Sequence, residues 1–439
     1  MPVETPRETQ TARFNEKRDA ILGAAALRFN EQGVKGATLA DIAASVGLVT
    51  NSVTYYYRKK EDLATACFLR AIALFDDMAK AAARQPNVDG RVRAYLRAHA
   101  ALQAAVRLGQ HPPVVVFSDV RALPSPQLEA VHRAYTDMFR RVRALLKGEE
   151  TAAWSKDTRN ARTHMLLSLA NWLPVWFGRY EESEYVRMAE RVADIALHGM
   201  VGVAAEWPVE EGGDASLFGP TEAGAMDAFL RAATALVNEQ GYRGASVDKI
   251  SARLHVTKGS FYHHNDNKLD LIAACFERTF KMVRQALAAA ESDSGSGWSR
   301  AAAATSALVR FQLSAQGPLL RLSSTSALPD RADRARVHKT LQQLTERMAS
   351  VLVDGLVDGS VRPLDTSIAA QIVMGLVNGA AELHRWVPAV TEASVVALYV
   401  RPIFGGLLSA ESGKLSGSDG AAGVSGRPPA PRAPSSRSA

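Results

Sequence analysis

At 439 residues, 47% hydrophobic and 22% charged, the chain exceeds the roughly 100–200 residues of an ordinary domain and is neither disordered nor fibrous in composition, so two or more compact units are expected. The formal charge of +7 is a small excess over this length and leans only mildly toward anionic partners. Two cysteines, Cys67 and Cys275, exclude a disulfide framework or a multi-cysteine zinc site, and no apolar run reaches bilayer length, since even VVALYVRPIFGGLL is interrupted by Arg401 and Pro402.

The first residues, MPVETPRETQTARFNEKR, hold no apolar core of a signal peptide and read as a basic arm, 1–18. A first helix follows, with Ile21, Leu22, Ala25 and Phe29 at helical spacing and Gly33 where a left-handed cap would sit. Thr38, with Asp41 three residues on, makes a capping box for a second helix that carries Leu39, Ile42, Ala43 and Val46 and stops at Gly47. A short third helix is expected from about Thr50 to Tyr57, which completes a helix-turn-helix head over 19–65. A long helix through Leu63, Cys67 and Leu74 then leads into a larger helical bundle, 66–205. Inside it, Pro174 in NWLPVWFGRY is expected to kink or break its helix.

EWPVEEGGDASLFGPTEAGA, 206–225, reads as a linker by its Gly, acid and Pro content. Beyond it the chain repeats itself. A shift of 208 positions pairs Asp19–Leu48 with Asp227–Val256 and continues to Cys67 and Cys275, with about 20 identities in about 51 positions. Val247, Ile250 and Leu254 repeat the apolar face of the second helix, and Thr257 is placed to cap the third, giving a second head at 226–273 and a second bundle at 274–409. RALPSPQLEAVHRAY from Arg121 finds its counterpart in SALPDRADRARVHKT from Ser326, so the whole architecture is duplicated. Residues 410–439 have the composition of a disordered tail.

A recognition helix in the major groove needs short polar residues at its start for base edges, and hydroxyls or cations at its flanks for phosphates. Thr50, Asn51, Ser52 and Thr54 fit the first need, and Tyr55, Tyr56 and Lys60 the second. In the second copy Thr257, Lys258, Gly259 and Ser260 face DNA, with Tyr262, His263 and Lys268 on the phosphates. Tyr57 is expected to pack inward, and the paired cysteines read as inherited core residues.

Gly33, Thr38, Asp41-Ile42-Ala43, Gly47, Tyr55 to Tyr57 and Lys60, and in the second copy Gly241, Ser246, Ile250, Val256 to Ser260, Phe261 to His264 and Lys268, resemble the DNA-binding head of the TetR (tetracycline-repressor-like) family of bacterial transcriptional regulators. The resemblance covers about 50 residues of each half. It implies an all-α fold of two tandem units, each a helix-turn-helix head followed by an effector-binding and dimerisation bundle. It also implies DNA contacts at the positions above, a dimer face from the last two helices, and a repressor released by a small lipophilic effector. The copies depart from the family pattern at Val49 and Thr54, and at His255, Asn265 and Leu269.

Partners expected on this basis are double-stranded operator DNA and a small-molecule effector. The halves are expected to pair within one chain as a pseudo-dimer, with a four-headed homodimer as the alternative. Candidate effector-pocket residues are Phe117, Tyr135, Phe139, Trp172 and Trp176 in the first bundle, and Phe311, Met374, His384 and Trp386 in the second. No metal or cofactor is expected, because adjacent His263 and His264 point to different sides of a helix, and no HExxH, GxSxG or GxGxxG motif suggests an enzyme. The expected location is the cytoplasm. The alternative reading is a helical ligand-binding or scaffold protein whose second head, or both, have lost DNA affinity.

Overall fold

The computed structural model describes residues 6–205, 207, 218, 225–256, 268–328 and 330–409. The first unit comprises α1 (Pro6–Gly36), α2 (Leu39–Ser45), α3 (Thr50–Tyr56), α4 (Lys60–Ala82), α5 (Val88–Arg107), α6 (Ser125–Leu145), α7 (Lys156–Trp176) and α8 (Tyr185–His198). Its head forms as its sequence directs. Ile21, Leu22, Ala25 and Phe29 bury one stripe of α1, and Ile42, Ala43 and Val53 close the core from α2 and α3. Thr38 Oγ1 accepts from Asp41 N (3.1 Å) at the start of α2. At its end Gly47 takes φ 67°, and Leu48 N donates to Ala43 O (2.9 Å), which satisfies a carbonyl the helix would leave open. α4 then carries Leu63, Cys67, Phe68 and Ile72 from the head into the bundle.

Among the described residues the second unit follows this order, the position of α3 lying outside them, with α9 (Ala225–Gly244), α10 (Val247–Arg253), α11 (Lys268–Ser292), α12 (Gly297–Leu313), α13 (Arg331–Val357), α14 (Thr366–Ala380) and a π-helical turn (Val396–Val400) running into α15 (Arg401–Gly405). Equivalent atoms make equivalent contacts. Cys67 Sγ donates to Leu22 O and Cys275 Sγ to Leu230 O, both at 3.6 Å. Burial pushes the two thiols up to about 12 and about 11, so both stay protonated core groups.

Three sequence expectations change. α1 begins at Pro6, so Lys17 and Arg18 stand on the helix rather than on an arm before it. α7 continues through Pro174 and ends two residues later at Trp176, where a 3-10 turn follows. Of 206–225, Trp207 lies against Trp298 and Phe404, each with ring centroids 6.2 Å away, and Phe218 is buried against Phe311 (4.8 Å). This stretch therefore anchors as well as connects; the rest of it and 410–439 lie outside the described residues.

The two halves pack against each other through α7 and α8 of the first and α14, the π-helical turn and α15 of the second. Two glycines permit the close approach: a Cβ at position 375 would sit 2.7 Å from the Trp172 indole, and one at 379 would sit 2.7 Å from Ser168 Oγ. Trp172 Nε1 donates to Gln371 Oε1 (3.3 Å), and Phe139 stacks on Trp386 at 3.6 Å and 3°. Arg162 donates to the carbonyls of Gly406 (3.2 Å) and Ser409 (3.1 Å), filling the open end of α15. Gly202 N to Ser360 O and Arg362 N to Met200 O, both 3.0 Å, join the exit of α8 to the loop before α14. Ion pairs Arg191–Asp365 (2.8 Å) and Arg362–Asp194 (2.7 Å) flank that joint. No helix among the described residues is long and apolar enough to cross a membrane.

Within the first bundle His99 is packed between Phe75 and Tyr95, each with ring centroids 4.6 Å away, and its Nε2 has no hydrogen-bond partner among the described residues. Burial drives its pKa down to about 3. The unfolded chain therefore binds a proton that the fold refuses, and stability is full above pH 6.5 and declines as pH falls from there toward about 3. The urea midpoint is expected to fall on acidification below about pH 6.5, and His99→Phe to flatten the first part of that decline without loss at pH 7. An unchanged pH profile in the variant would refute this assignment.

Candidate nucleic-acid interface and the seam that holds it

Head 1 presents α3 outward on the buried anchor Val53. Asn51 and Tyr55 are exposed, the latter at 77%, and Thr50, Ser52, Thr54 and Tyr56 are partly exposed. Val49 offers no side chain to the start of α3, so its first N–H groups receive no cap of the kind Thr38 supplies to α2. Thr54 Oγ1 donates back to Asn51 O (3.0 Å). Phe14 from the early turns of α1 lies against Tyr56 (4.7 Å), and Tyr55 meets Tyr56 edge-on (5.3 Å), forming an aromatic pad with two hydroxyls at its rim. Lys17, Arg18, Arg58 and Lys59, close to these aromatics in sequence, are exposed, as are Glu16 and Asp19. Tyr57 is half-buried, and burial, opposed by Arg18, raises its pKa.

Lys60 is placed differently from its expected phosphate contact. Its ammonium donates to Lys35 O (3.1 Å) and Ala37 O (2.9 Å), holding the end of α1 to the start of α4. Lys268 does the same in head 2, donating to Tyr242 O with its ammonium 4.1 Å from that ring's centroid. The repeat thus preserves a lysine clasp inside each head.

In head 2, Ser246 Oγ caps α10 by accepting from Lys249 N (3.3 Å). His255 stands at the turn in the left-handed region, φ 55°, where Gly47 takes φ 67°, and Val256 N donates to Ser251 O (3.0 Å) as Leu48 N does to Ala43 O. The turn is therefore kept with a side chain that disfavours it. Thr257, Lys258, Gly259, Ser260, Tyr262 and His263, with Asn265, lie outside the described residues.

Both heads rest on the 3-10 turn Phe117–Ala122 of the first half and on its counterpart Leu322–Ala327 of the second, and the first of these supplies a carboxylate to both. Gly33 and Gly241 kink α1 and α9 at φ 70° and 72° with ψ near 163° and 164°, a region open essentially to glycine. Val34 N donates to Asp119 Oδ2 (2.5 Å). A Cβ at Gly33 would lie 2.9 Å from Asp119 Oδ2, and one at Gly241 would lie 2.9 Å from Asp119 Oδ1, so a single carboxylate sits against both kinks. Three residues earlier in each helix, Asn30 Nδ2 donates to Val114 O and Asn238 Nδ2 to Leu319 O, both at 2.9 Å.

Asn238 O in turn accepts from Arg121 of the first half and from Arg321 of the second (2.8 Å). Both guanidinium groups also reach Glu382 Oε1, Arg121 at 2.8 Å. Burial alone would raise the Glu382 pKa, but Arg321, Arg121 and more distant His164 and Arg385 outweigh it and hold it down at about 2. None of these seam residues stood out as functional in the sequence, although Asn30 and Asn238 share the repeated NEQG that was its nearest signal.

The nine candidate pocket residues do not converge. Phe117, Tyr135 and Trp386 line a cavity of about 230 Å³ between the halves, with Phe139 stacked behind Trp386. Trp172 and Met374 border a small, mostly apolar space of about 40 Å³ where the first half meets the second bundle. Trp176 lines a separate cleft of about 210 Å³ beside His338. Phe311 belongs to the core, with Arg278 5.4 Å from its ring centroid, and His384 is exposed. Among the described residues no group of three or more His, Cys, Asp or Glu is arranged to hold a metal ion.

The family model for bacterial regulatory proteins of the tetR family matches residues 21–67 and 229–275, two segments offset by the same 208 positions as the internal repeat. Over 71 residues the chain is 39% identical to the transposon Tn10 TetC protein of Escherichia coli, a match covering 16% of this chain and 36% of that protein. The chain thus spans about a third of the length of the curated relative it matches. Among solved structures it is similar to a TetR family transcriptional regulator, PfmR, from Thermus thermophilus, at 20% identity and TM-score 0.35, over 41% of this chain and 98% of that one. A TetR-family transcriptional regulator from Bordetella parapertussis 12822 matches at 20% identity and TM-score 0.36, over 41% and 93%.

The two turns make a paired prediction. Nothing lies within 4 Å of a Cβ at Gly47, so Gly47→Ala should lose only the backbone preference, about 1 kcal/mol. His255→Gly should strengthen head 2 by up to about the same amount. Hydrogen exchange of the amides of α2 and α10 reads each head separately, and equal protection before and after His255→Gly would count against strain at that turn.

Proposed function

With two tetR-family units in tandem on one chain as the premise, we propose that this protein is a DNA-binding transcriptional regulator whose two heads act together as a pseudo-dimer. The observation that carries the reading is the pair of first head helices held against one shared seam: equivalent kinks at Gly33 and Gly241 lie on opposite oxygens of Asp119. Two heads of one regulator must be kept at a set spacing, because recognition helices that read successive major grooves stand roughly 34–36 Å apart. A seam made by the last helices of each half does this without a second chain.

In head 1, Thr50, Asn51, Ser52 and Thr54 take the base edges, and Tyr55 and Tyr56 hold phosphates from the pad built on Phe14. In head 2 the corresponding work falls to Thr257 through Ser260 with Tyr262 and His263. The heads differ in sequence, so the operator is an imperfect palindrome. The protein acts by binding rather than catalysis, in the cytoplasm, most simply as a repressor that leaves its operator when a small molecule changes the seam.

Selection of binding sites from random duplex DNA with full-length protein, at two salt concentrations, together with sedimentation of the complex, tests this. The expected outcome is a site of two unlike halves bound by a single 47.2 kDa chain, with affinity falling steeply with salt as counterions are released. Asn51→Ala is expected to weaken binding by about 1–3 kcal/mol and relax preference in one half-site only. A perfect palindrome bound by two chains would support the homodimer instead, and absence of any enriched site would leave the ligand-binding or scaffold reading.

A further inference from the structure

The cavity of about 230 Å³ draws its walls from both halves, so neither repeat alone contains it. One wall is aromatic: Phe117 meets Tyr135 edge-on at 5.2 Å, and Tyr135 lies 6.1 Å from Trp386. The polar wall carries the guanidinium groups of Arg121, Arg321 and Arg385 against a single lining carboxylate, Glu382. Arg121 and Arg321 share that carboxylate, and their side chains are only 22% and 15% exposed. Arg385 pairs with no carboxylate among the described residues; its Nη2 meets His132 Nε2 at 2.9 Å. Burial, then Arg385 and Arg121, lower the His132 pKa, so the imidazole stays neutral as the acceptor.

Arg121 and Arg321, part-buried against the one carboxylate of Glu382, leave one positive charge in excess there, and the exposed Arg385 adds a second at the rim, an arrangement that an incoming anion completes. The fork of an arginine matches a carboxylate in two parallel hydrogen bonds. A volume just below the usual range for ligand pockets suits one or two fused rings. We propose that the seam cavity binds a flat aromatic carboxylate, its ring against Phe117, Tyr135 and Trp386 and its carboxylate on the arginine cluster led by Arg385. Phe117 belongs to the same turn as Asp119, and Arg121 holds Asn238 O, so an anion that draws these arginines from Glu382 acts directly on the support of both heads. That regulatory consequence rests on the DNA-binding reading proposed above; the binding site does not.

Calorimetric titration of the full chain with 2-naphthoate, and with 2-naphthamide as its neutral isostere, tests the assignment. One equivalent of 2-naphthoate per chain is expected, bound at least tenfold more tightly than the amide. Arg385→Gln should abolish that preference, Arg385→Lys should keep part of it, and Glu382→Gln, which removes the competing carboxylate, should strengthen naphthoate binding. Equal affinity for the two probes, binding of neither, or a preference untouched by both Arg385 variants would overturn the proposal. A chain that prefers naphthoate but enriches no DNA site keeps this cavity and loses the regulator reading; a chain that enriches a site but ignores the charge of the probe does the reverse.

Discussion

A single carboxylate placed against two glycines organises this molecule. Asp119 contacts the kinks at Gly33 and Gly241, each of which turns its helix through backbone angles that a side chain would resist. With the kinks fixed on one turn, α1 and α9 leave the seam in set directions, and the small head cores of Phe29, Ile42 and Val53, and of Phe229 and Ile250, build outward from there. The asparagines Asn30 and Asn238 add a second attachment one turn earlier, so each head is held at two points along its first helix.

Placing both units on one chain releases them from strict two-fold symmetry, and the structure uses that freedom. The counterpart of Asp119 in the second half is Ser324, which carries no carboxylate, so one half supplies the shared anchor for both. Gly47 is answered by His255, and the regular α8 is answered by a π-helical turn and the short α15. Trp172 enters the second half over Gly375. A homodimer would have to make each such change twice; here each is made once, where the local packing accepts it.

The seam is also where charge is concentrated away from water. Arg121 and Arg321 each divide their donors between Glu382 and the carbonyl of Asn238, so the same atoms serve as ion pair and as helix support. A part-buried network of this kind is sensitive to any partner that offers a better acceptor, because water compensates its members only in part when one is withdrawn.

Much of the fold was legible in the sequence, because it depends on neighbours in the chain. The repeat at 208 positions, the capping box at Thr38 and the stops at Gly33 and Gly47 follow from periodicity and backbone preference over a few residues, and they define the heads. The outward face of α3 could be read the same way, since Val53 alone in that helix is buried. What spacing could not show was which distant groups meet. That Asp119 lies on glycines 86 positions before it and 122 after it, that Lys60 is occupied by carbonyls of its own head, that Trp207 and Phe218 anchor a polar stretch, and that the nine pocket candidates fall into separate places all depend on contacts across the folded chain. The sequence by itself determined two helical units with helix-turn-helix heads, because helix periodicity and capping act within a few residues; only the tertiary structure decided how the heads share one carboxylate and where the charged cavity opens, because side chains far apart in sequence become neighbours only when both halves pack.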